Sequence, residues 1–361
     1  MEYKRLGDYI REVNVRNRDE KVTNLQGVSI SKMFIPSIAN TIGTDMSTYK
    51  IVKPGQFAYG PVTSRNGDKV SIALYEDNED AIISQAYTVF DIIDKNEVSN
   101  KYLMMWFQRP EFDRYARFHS HGSAREIFDW DELCNVIIPL PSIERQREIV
   151  EEYETLSRRI SLNGRMIQKL EATAQALYRK MFVDGIDKEN LPEGWRMGTL
   201  GEMAEVSSGK TCLDKVDKKE PPYIYPVAGA SGIIGYSSTY NYEEQVLTTG
   251  RVGTLGVVNK YKDRTYMADN VLVIKSQYYE YCYQILQQLD YNEITKGGVQ
   301  SLITQTDLKA VEIIIPDTNS LKEYEDTVLN VFKMIETKQQ ENSKLSELQS
   351  LLLAKMGNLK Q

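Results

Sequence analysis

The chain is 361 residues long, 41% hydrophobic and 26% charged. That composition excludes a disordered chain and leaves room for two domains, each with a core of its own. Net charge is −7, with 17 Lys+Arg against 20 Asp+Glu in residues 2–141 and 12 against 14 in residues 195–316. A uniformly basic polyanion binder is thereby excluded, so any contact with nucleic acid has to come from local loops or from partners that neutralise phosphate.

In chain order, the opening Met1-Glu2-Tyr3-Lys4-Arg5-Leu6-Gly7-Asp8 lacks the apolar stretch of a secretory signal. No apolar run reaches the roughly 18–20 residues that cross a bilayer. Cys134, Cys212 and Cys282 form no C-x-x-C pair, which argues against a zinc knuckle or a disulfide framework and for a cytoplasmic setting. Strand-like runs at 56–59 and 87–93 flank a turn at Asn66-Gly67-Asp68. The spacing predicts an amphipathic helix over 101–112. A β-run then closes on Pro141, whose missing N–H ends a ladder. From 144 to 182 apolar residues such as Ile149, Tyr153, Leu156, Ile160, Leu170, Leu177 and Met181 recur at helical steps, without proline.

The pattern then starts again. A strand-like run at 271–274, a short helix over 279–289 and a strand closing on Pro316 precede a second long apolar series over 321–356, through Tyr324, Val328, Val331, Ile335, Leu345, Leu352 and Met356. Each long helix would measure roughly 57 Å. A single apolar stripe on such a rod needs a partner, which pairing of the two helices as a coiled coil would supply. The alternative is that each helix packs on its own globular domain.

This recurrence is an internal repeat. At an offset of 175, Leu133 falls on Leu308, Val136 on Val311, Ile138 on Ile313, Pro141 on Pro316 and Lys180-Met181 on Lys355-Met356. Upstream, Leu6-Gly7-Asp8 matches Leu200-Gly201-Glu202 at an offset of 194. The second globular part is therefore about 19 residues shorter (194 − 175). Loops diverge between the copies while the helices keep their length.

Three stretches resemble the specificity subunit of type I restriction-modification systems. They are Leu191-Pro192-Glu193-Gly194-Trp195-Arg196 with Leu200-Gly201-Glu202; Ile138-Pro139-Leu140-Pro141-Ser142-Ile143-Glu144-Arg145-Gln146; and Thr249-Gly250-Arg251-Val252-Gly253-Thr254. The second junction departs from the pattern, since Ile315-Pro316-Asp317 lacks the double proline. The first domain has Tyr59-Gly60-Pro61 where the second has Gly-Arg-x-Gly.

The resemblance implies an α+β chain of two globular α/β target-recognition domains separated by two long antiparallel helices that form a coiled coil, with an internal pseudo-twofold repeat. Residues 1–141 and 195–316 would be the recognition domains, 142–183 and 317–361 the helices, and 184–194 a linker. Each domain would read one half of a bipartite, asymmetric site on double-stranded DNA. The helices would set the spacing and dock two copies of the modification (adenine methyltransferase) subunit, a complex that restriction subunits can join. It also implies a subunit with no catalysis and no cofactor of its own, S-adenosylmethionine, ATP and Mg belonging to the partners. A rival reading is a non-catalytic coiled-coil scaffold that does not read DNA.

Candidate DNA contacts follow from loop chemistry. Ser64, Arg65, Asn66 and Lys69 put two cations and an amide in one loop, a set that can read bases or phosphates and is also ordinary turn chemistry. His119, His121, Ser123 and Arg125 and their repeat counterparts Lys296, Gln300 and Ser301 lie in polar, glycine-containing loops. The counterpart has no histidine, which excludes a shared catalytic role, and two histidines without a cysteine or paired carboxylates do not make a metal site. Arg251 sits in a glycine-rich stretch that lets backbone approach a duplex, and Tyr59 occupies the matching place in the first domain. Ser208-Gly209-Lys210-Thr211 looks like the end of a phosphate-binding loop, but Ala204 stands where its first glycine belongs. Lys210 and Thr211 remain candidates for phosphate contact. No methyltransferase tetrad, G-x-S-x-G or H-E-x-x-H is present.

Overall fold

The computed structural model describes residues 2–37, 43–64, 66–67, 69–122, 126–252, 254–294 and 302–357. Two compact units divide the chain: residues 1–163 with 340–361, and residues 164–339.

The first unit holds strands β1 (Glu2–Arg5), β2 (Ile10–Val13), β3 (Gln26–Val28), β4 (Phe34–Pro36), β5 (Lys50–Val52), β6 (Phe57–Gly60), β7 (Ser71–Leu74), β8 (Ala81–Ile83), β9 (Thr88–Ile92) and β10 (Ile137–Leu140). Helices α1 (Asn100–Gln108), α2 (Pro110–Phe118) and α3 (Trp130–Asn135) fall between β9 and β10, and α4 (Ile143–Phe182) starts just after them. Its main sheet runs β2-β9-β6-β7, all neighbours antiparallel, and β1 pairs with β10. Alternation puts Phe57, Tyr59 and Phe90 on one face with Leu103, Phe107, Phe112 and Phe128, while Ala58, Ala73 and Val89 face a smaller core with Val52 and Tyr75. The central strand is thus apolar on both sides.

One helix was expected over 101–112, and two are found. Pro110 cannot extend the first, and it drives Arg109 to an extended φ −69°, ψ 136° before taking a first-turn position in α2. Arg109 then lies over the Trp106 ring at 4.2 Å. Its guanidinium occupies the space a side chain on Gly357 would need, so a cation sits at the C-terminal end of the last long helix.

The second unit holds β11 (Arg196–Thr199), α5 (Leu200–Met203), β12 (Glu205–Ser208), β13 (Tyr225–Gly229), β14 (Gly232–Ser237), β15 (Val246–Gly250), β16 (Asn259–Tyr261), β17 (Tyr266–Met267), β18 (Val271–Lys275), α6 (Tyr279–Gln288), α7 (Tyr291–Ile294), α8 (Gln305–Lys309), β19 (Glu312–Ile315) and the start of α9 (Thr318–Met356). Its sheet order β12-β18-β15-β16 and its β11–β19 pair match β2-β9-β6-β7 and β1–β10 position for position. The differences lie outside that frame. The first unit adds the pairs β3–β4 and β5–β8, and the second adds β14-β13-β17.

Within each unit the long helices contact both the globular core and each other. In the first unit Ile149, Val150 and Met356 join the domain core. There the segments of α4 and α9 also bond to each other in opposite directions: Gln349 Nε2 donates to Ser157 Oγ at 2.6 Å, and Asn342 Nδ2 to the Ile160 carbonyl at 3.3 Å. In the second unit Ala174, Tyr178 and Phe182 meet Tyr324, Val328 and Phe332 around Tyr281. Gln146, buried at the first junction, receives Ser99 N–H on Oε1 at 2.9 Å and donates to the Glu97 and Pro141 carbonyls. At the second junction Trp195 Nε1 donates to Asp317, which also caps Asn319 and Ser320. The Ser320 hydroxyl above all, with the N–H of Ser320 and the donors from Trp195 and Asn319, holds the Asp317 carboxyl down at about 2.

Among the described residues, no helix is long and apolar enough to cross a membrane. Nor does any group of three or more His, Cys, Asp or Glu form a cluster that could hold a metal ion. The three cysteines are unpaired.

Candidate nucleic-acid interface

In the first unit the loop after β6 meets the segment that leads into α3. Val62 and Ile127 form a β-bridge, Phe128 N–H donates to the Pro61 carbonyl at 2.9 Å, and Thr63 N–H to the Glu126 carbonyl at 3.0 Å. The Thr63 hydroxyl also donates to Ser120 Oγ, which in turn donates to the Ala116 carbonyl at the end of α2. His121 bridges Ile127 through backbone and leaves its side chain exposed.

The second unit repeats the arrangement with other residues. The loop after β15 meets the segment leading into α8: Val252 bridges Leu302, and Ile303 N–H donates to the Arg251 carbonyl at 3.1 Å. Arg251 N–H donates to the Asn270 carbonyl at 2.9 Å, bringing in the start of β18. The loop after β12 arrives beside it, since Lys210 N–H donates to the Met267 carbonyl and Thr211 Oγ1 to Asp269 at 2.7 Å. Gly250 and Gly209 are required here. A Cβ on the first would run into the Thr254 carbonyl and on the second into that of Ala268.

The side chains expected to touch DNA divide accordingly. Ser64, Lys69, His121, Lys210 and Thr211 are exposed. Arg251 is half-buried, and its Nε has no hydrogen-bond partner among the described residues. Asn66 is spent on its own loop, donating to the Val62 carbonyl and to Ser71 Oγ at 3.1 Å each. The His119 ring stacks on Tyr115 at 4.2 Å and its Nδ1 lies 3.4 Å from Glu132. Tyr59 is corrected. It is wholly buried, its ring edge-on to Phe128, and burial pushes its hydroxyl pKa far up. The cleft on the other side of β6 is lined by Gly60 and Pro61 instead. An unbroken apolar run, Phe57-Ala58-Tyr59, was the available signal of a strand covered on both faces. Arg65, Ser123, Arg125, Lys296, Gln300 and Ser301 lie outside the described residues. No nucleotide-binding loop forms at 208–211, because β12 is followed by irregular chain rather than a helix.

Sequence reasoning missed a cleft of about 760 Å³ lined by Lys32, Lys69, Arg114, Arg117 and Phe118. Lys32 is buried and pairs with Asp113 at 2.8 Å, while Asp113 also receives Val70 N–H. Burial pushes the Lys32 pKa down, against the pull of Asp113. The Val70 N–H bond to Asp113 ties α2 to the chain that enters β7. Arg114 and Arg117 lie on the outer face of α2, a placement that helical periodicity would have given had the helix been drawn to Phe118.

The family model described as type I restriction modification DNA specificity domain matches residues 33–172 and again 192–347. The MjaIX specificity subunit of Methanocaldococcus jannaschii, a type I restriction enzyme subunit, is 23% identical over 305 residues, 74% of this chain and 70% of that protein. The HindI specificity subunit of Haemophilus influenzae is 20% identical over an alignment covering 98% of each. Among solved structures, the S subunit of a type I system from M. genitalium superimposes with a TM-score of 0.60 at 15% identity, covering 98% of this chain and 95% of that one, a likeness of fold. With the family's domain matched twice over most of its length, the chain belongs to the type I restriction-modification DNA specificity family.

Proposed function

We propose that each unit reads one half of a bipartite, asymmetric site on double-stranded DNA, the first through residues 62–69 and 119–127 and the second through residues 209–211, 250–256 and 295–304. As a member of its family the chain is a sequence-specific DNA-recognition subunit, with methylation and cleavage left to partner subunits. The observation that carries the two-reader form is the repeated loop junction. In both units the turn after the third strand of the sheet order is bridged to the segment before a short helix, and the residues there differ while the frame does not. A constant frame with variable loops is what two readers of unlike sequences need.

Residues 1–141 and 195–316 serve as the recognition domains, and the stretches 142–183 and 317–361 as an antiparallel coiled coil related by the pseudo-twofold repeat. Support for the helices comes from the oppositely directed bonds between Ser157 and Gln349 and between Ile160 and Asn342. The rods set the spacing of the half-sites and dock two methyltransferase subunits in the cytoplasm. Those partners use S-adenosylmethionine, and restriction subunits ATP and Mg. Partner cations supply the phosphate neutralisation that a chain of net charge −7 lacks. The rival reading as a scaffold has no support from the family.

The test is methylome sequencing with and without this chain. Adenine methylation at one split motif should disappear on deletion, and unchanged methylation would end the proposal. Exchange of residues 195–316 for another recognition domain should change one half-site only. Insertion of about one helical turn, roughly four residues, into either rod should widen the spacer.

A further inference from the structure

Phe118 ends α2 with 81% of its surface exposed, more than any other large hydrophobic side chain described in the first unit, where the next are Tyr3 and Met33 at 58%. Exposed apolar residues standing singly are common and mean nothing by themselves. The surroundings of this one are what matter.

Three features set them. Phe118 lines the same cleft as the exposed Lys69 and as Arg114 and Arg117, so an apolar ring stands beside cationic side chains, Arg114 paired with Glu111 and Arg117 with Glu126. Arg114 and Phe118 are four residues apart on the helix and share its outer face, opposite the buried Phe112 and Ala116. The helix end that presents the ring is also fixed to the reading loops. Ser120 bonds to Ala116 and accepts from Thr63, and Arg117 pairs with Glu126 at 2.5 Å. Behind the ring, His119 packs edge-on at 5.2 Å and is itself stacked on Tyr115. The ring is held out from a braced base rather than carried on a loose loop.

We propose that Phe118 is an apolar wedge that enters the DNA duplex at a base step of the half-site read by the first unit, with Lys69 and Arg114 on the flanking phosphates. The proposal rests on the reading of this unit as a DNA reader and adds a mechanism to it. Proteins that deform DNA insert Phe or Leu between bases, offsetting the unstacking by burial of the ring and by the contacts the kink allows. Specificity then arises partly from how easily the step opens, pyrimidine–purine steps being the most deformable.

The experiment uses the full chain assembled with its methyltransferase partner and duplexes carrying the methylome-defined motif, with 2-aminopurine placed at successive positions of each half-site. Wild type should raise the probe's fluorescence several-fold at one step of the first half-site. Phe118→Ala should abolish that rise and weaken binding about 10-fold, while Phe118→Leu retains both. Thermal unfolding of the alanine variant should match wild type, because the side chain is exposed. Unchanged fluorescence and affinity in Phe118→Ala, with the motif still bound, would overturn the wedge and leave the DNA reading intact. Loss of the methyltransferase partner from the variant would also overturn it, marking Phe118 as a protein contact. Absence of any motif-specific binding by wild type would remove the reading itself, and the wedge with it.

Discussion

The Thr63 hydroxyl donates to the Ser120 hydroxyl across 3.0 Å, joining two loops 57 residues apart in the chain. Thr63 is buried, so this bond and the one from its N–H to the Glu126 carbonyl are shielded from water. Thr63→Val removes the hydroxyl and keeps the shape. It should cost about 0.5–1.5 kcal/mol of stability, read as a small fall in unfolding temperature. The larger effect should be on reading. Methylation by the assembled complex should relax at the half-site of the first unit and stay strict at the other, and equal relaxation at both would show that the bond does not organise one reader.

Arg251 is half-buried beside the tightly packed Gly250, and its buried Nε has no hydrogen-bond partner among the described residues. If its guanidinium reads a guanine edge, Arg251→Ala should lose about 1–3 kcal/mol of discrimination at one base pair of the second half-site. Arg251→Lys should not restore it, because an ammonium lacks the planar fork. A phosphate contact would give the opposite pattern: uniform weakening across sequences, a shallower salt dependence and rescue by lysine. Binding to a panel of single-base variants at two salt concentrations separates the two.

These loops were legible as candidates but not as neighbours. The pairing of Thr63 with Ser120, or of Arg251 with Ile303, depends on strand order, and nothing local in the sequence encodes that β6 lies between β9 and β7. The long helices were legible because their apolar steps persist over 40 residues in α4 and 39 in α9, where a few misplaced residues cannot mask the period. Strands of three to five residues carry too few alternations for that, so β3–β4 and β5–β8 went unread. Tyr59 was misplaced for a physical reason. Tyr59-Gly60-Pro61 stands where the second domain has Gly-Arg-x-Gly, which suggested a DNA contact, whereas burial on both faces of β6 leaves Tyr59 in the core. Gly60-Pro61 corresponds to Gly250-Arg251 of the second unit, the Pro61 and Arg251 carbonyls accepting from Phe128 N–H and Ile303 N–H.

Asn163 is 2% exposed where α4 meets α9 in the first unit, and its Nδ2 donates to Asn342 Oδ1 at 2.9 Å. Asn342 passes a donor on to the Ile160 carbonyl. A polar pair buried between helices specifies register at a cost in stability. Asn163→Leu alone should destabilise by about 1–3 kcal/mol, since it strands the Asn342 amide oxygen. The double change to leucine should recover most of that loss or exceed wild type, while allowing the helices to slip. A double-mutant cycle on thermal unfolding measures the coupling. A double variant no more stable than Asn163→Leu would show that the pair is not coupled in this way.

Glu325 on α9 performs for α6 the task that Gln146 on α4 performs for α1. Its carboxylate receives the N–H groups of Glu280 and Tyr281 at 3.0 and 2.9 Å, as Gln146 Oε1 receives that of Ser99. The charged version carries a penalty, because burial pushes the Glu325 pKa up to about 7 from its ordinary 4.5 and the neighbouring Glu280 carboxyl upward as well. Lys260, which pairs with Glu280 beneath the Phe332 ring, is pushed by burial down to about 8. The signs are opposite on the pH axis. Between about 4.5 and 7 the folded chain holds a proton on Glu325 that the unfolded chain has released, so stability falls as pH rises. Between about 8 and 10.5 the unfolded chain holds the extra proton, on Lys260, and stability rises with pH. The second unit should therefore be least stable between about 7 and 8. Glu325→Gln keeps an acceptor for α6 and removes the charge. It should flatten most of the descent between pH 5 and 7, leaving the part due to Glu280, and gain ~1–2 kcal/mol at pH 7.5. Unfolding midpoints of both proteins across pH 5–10 decide the matter. An undiminished descent in the variant would assign the proton elsewhere.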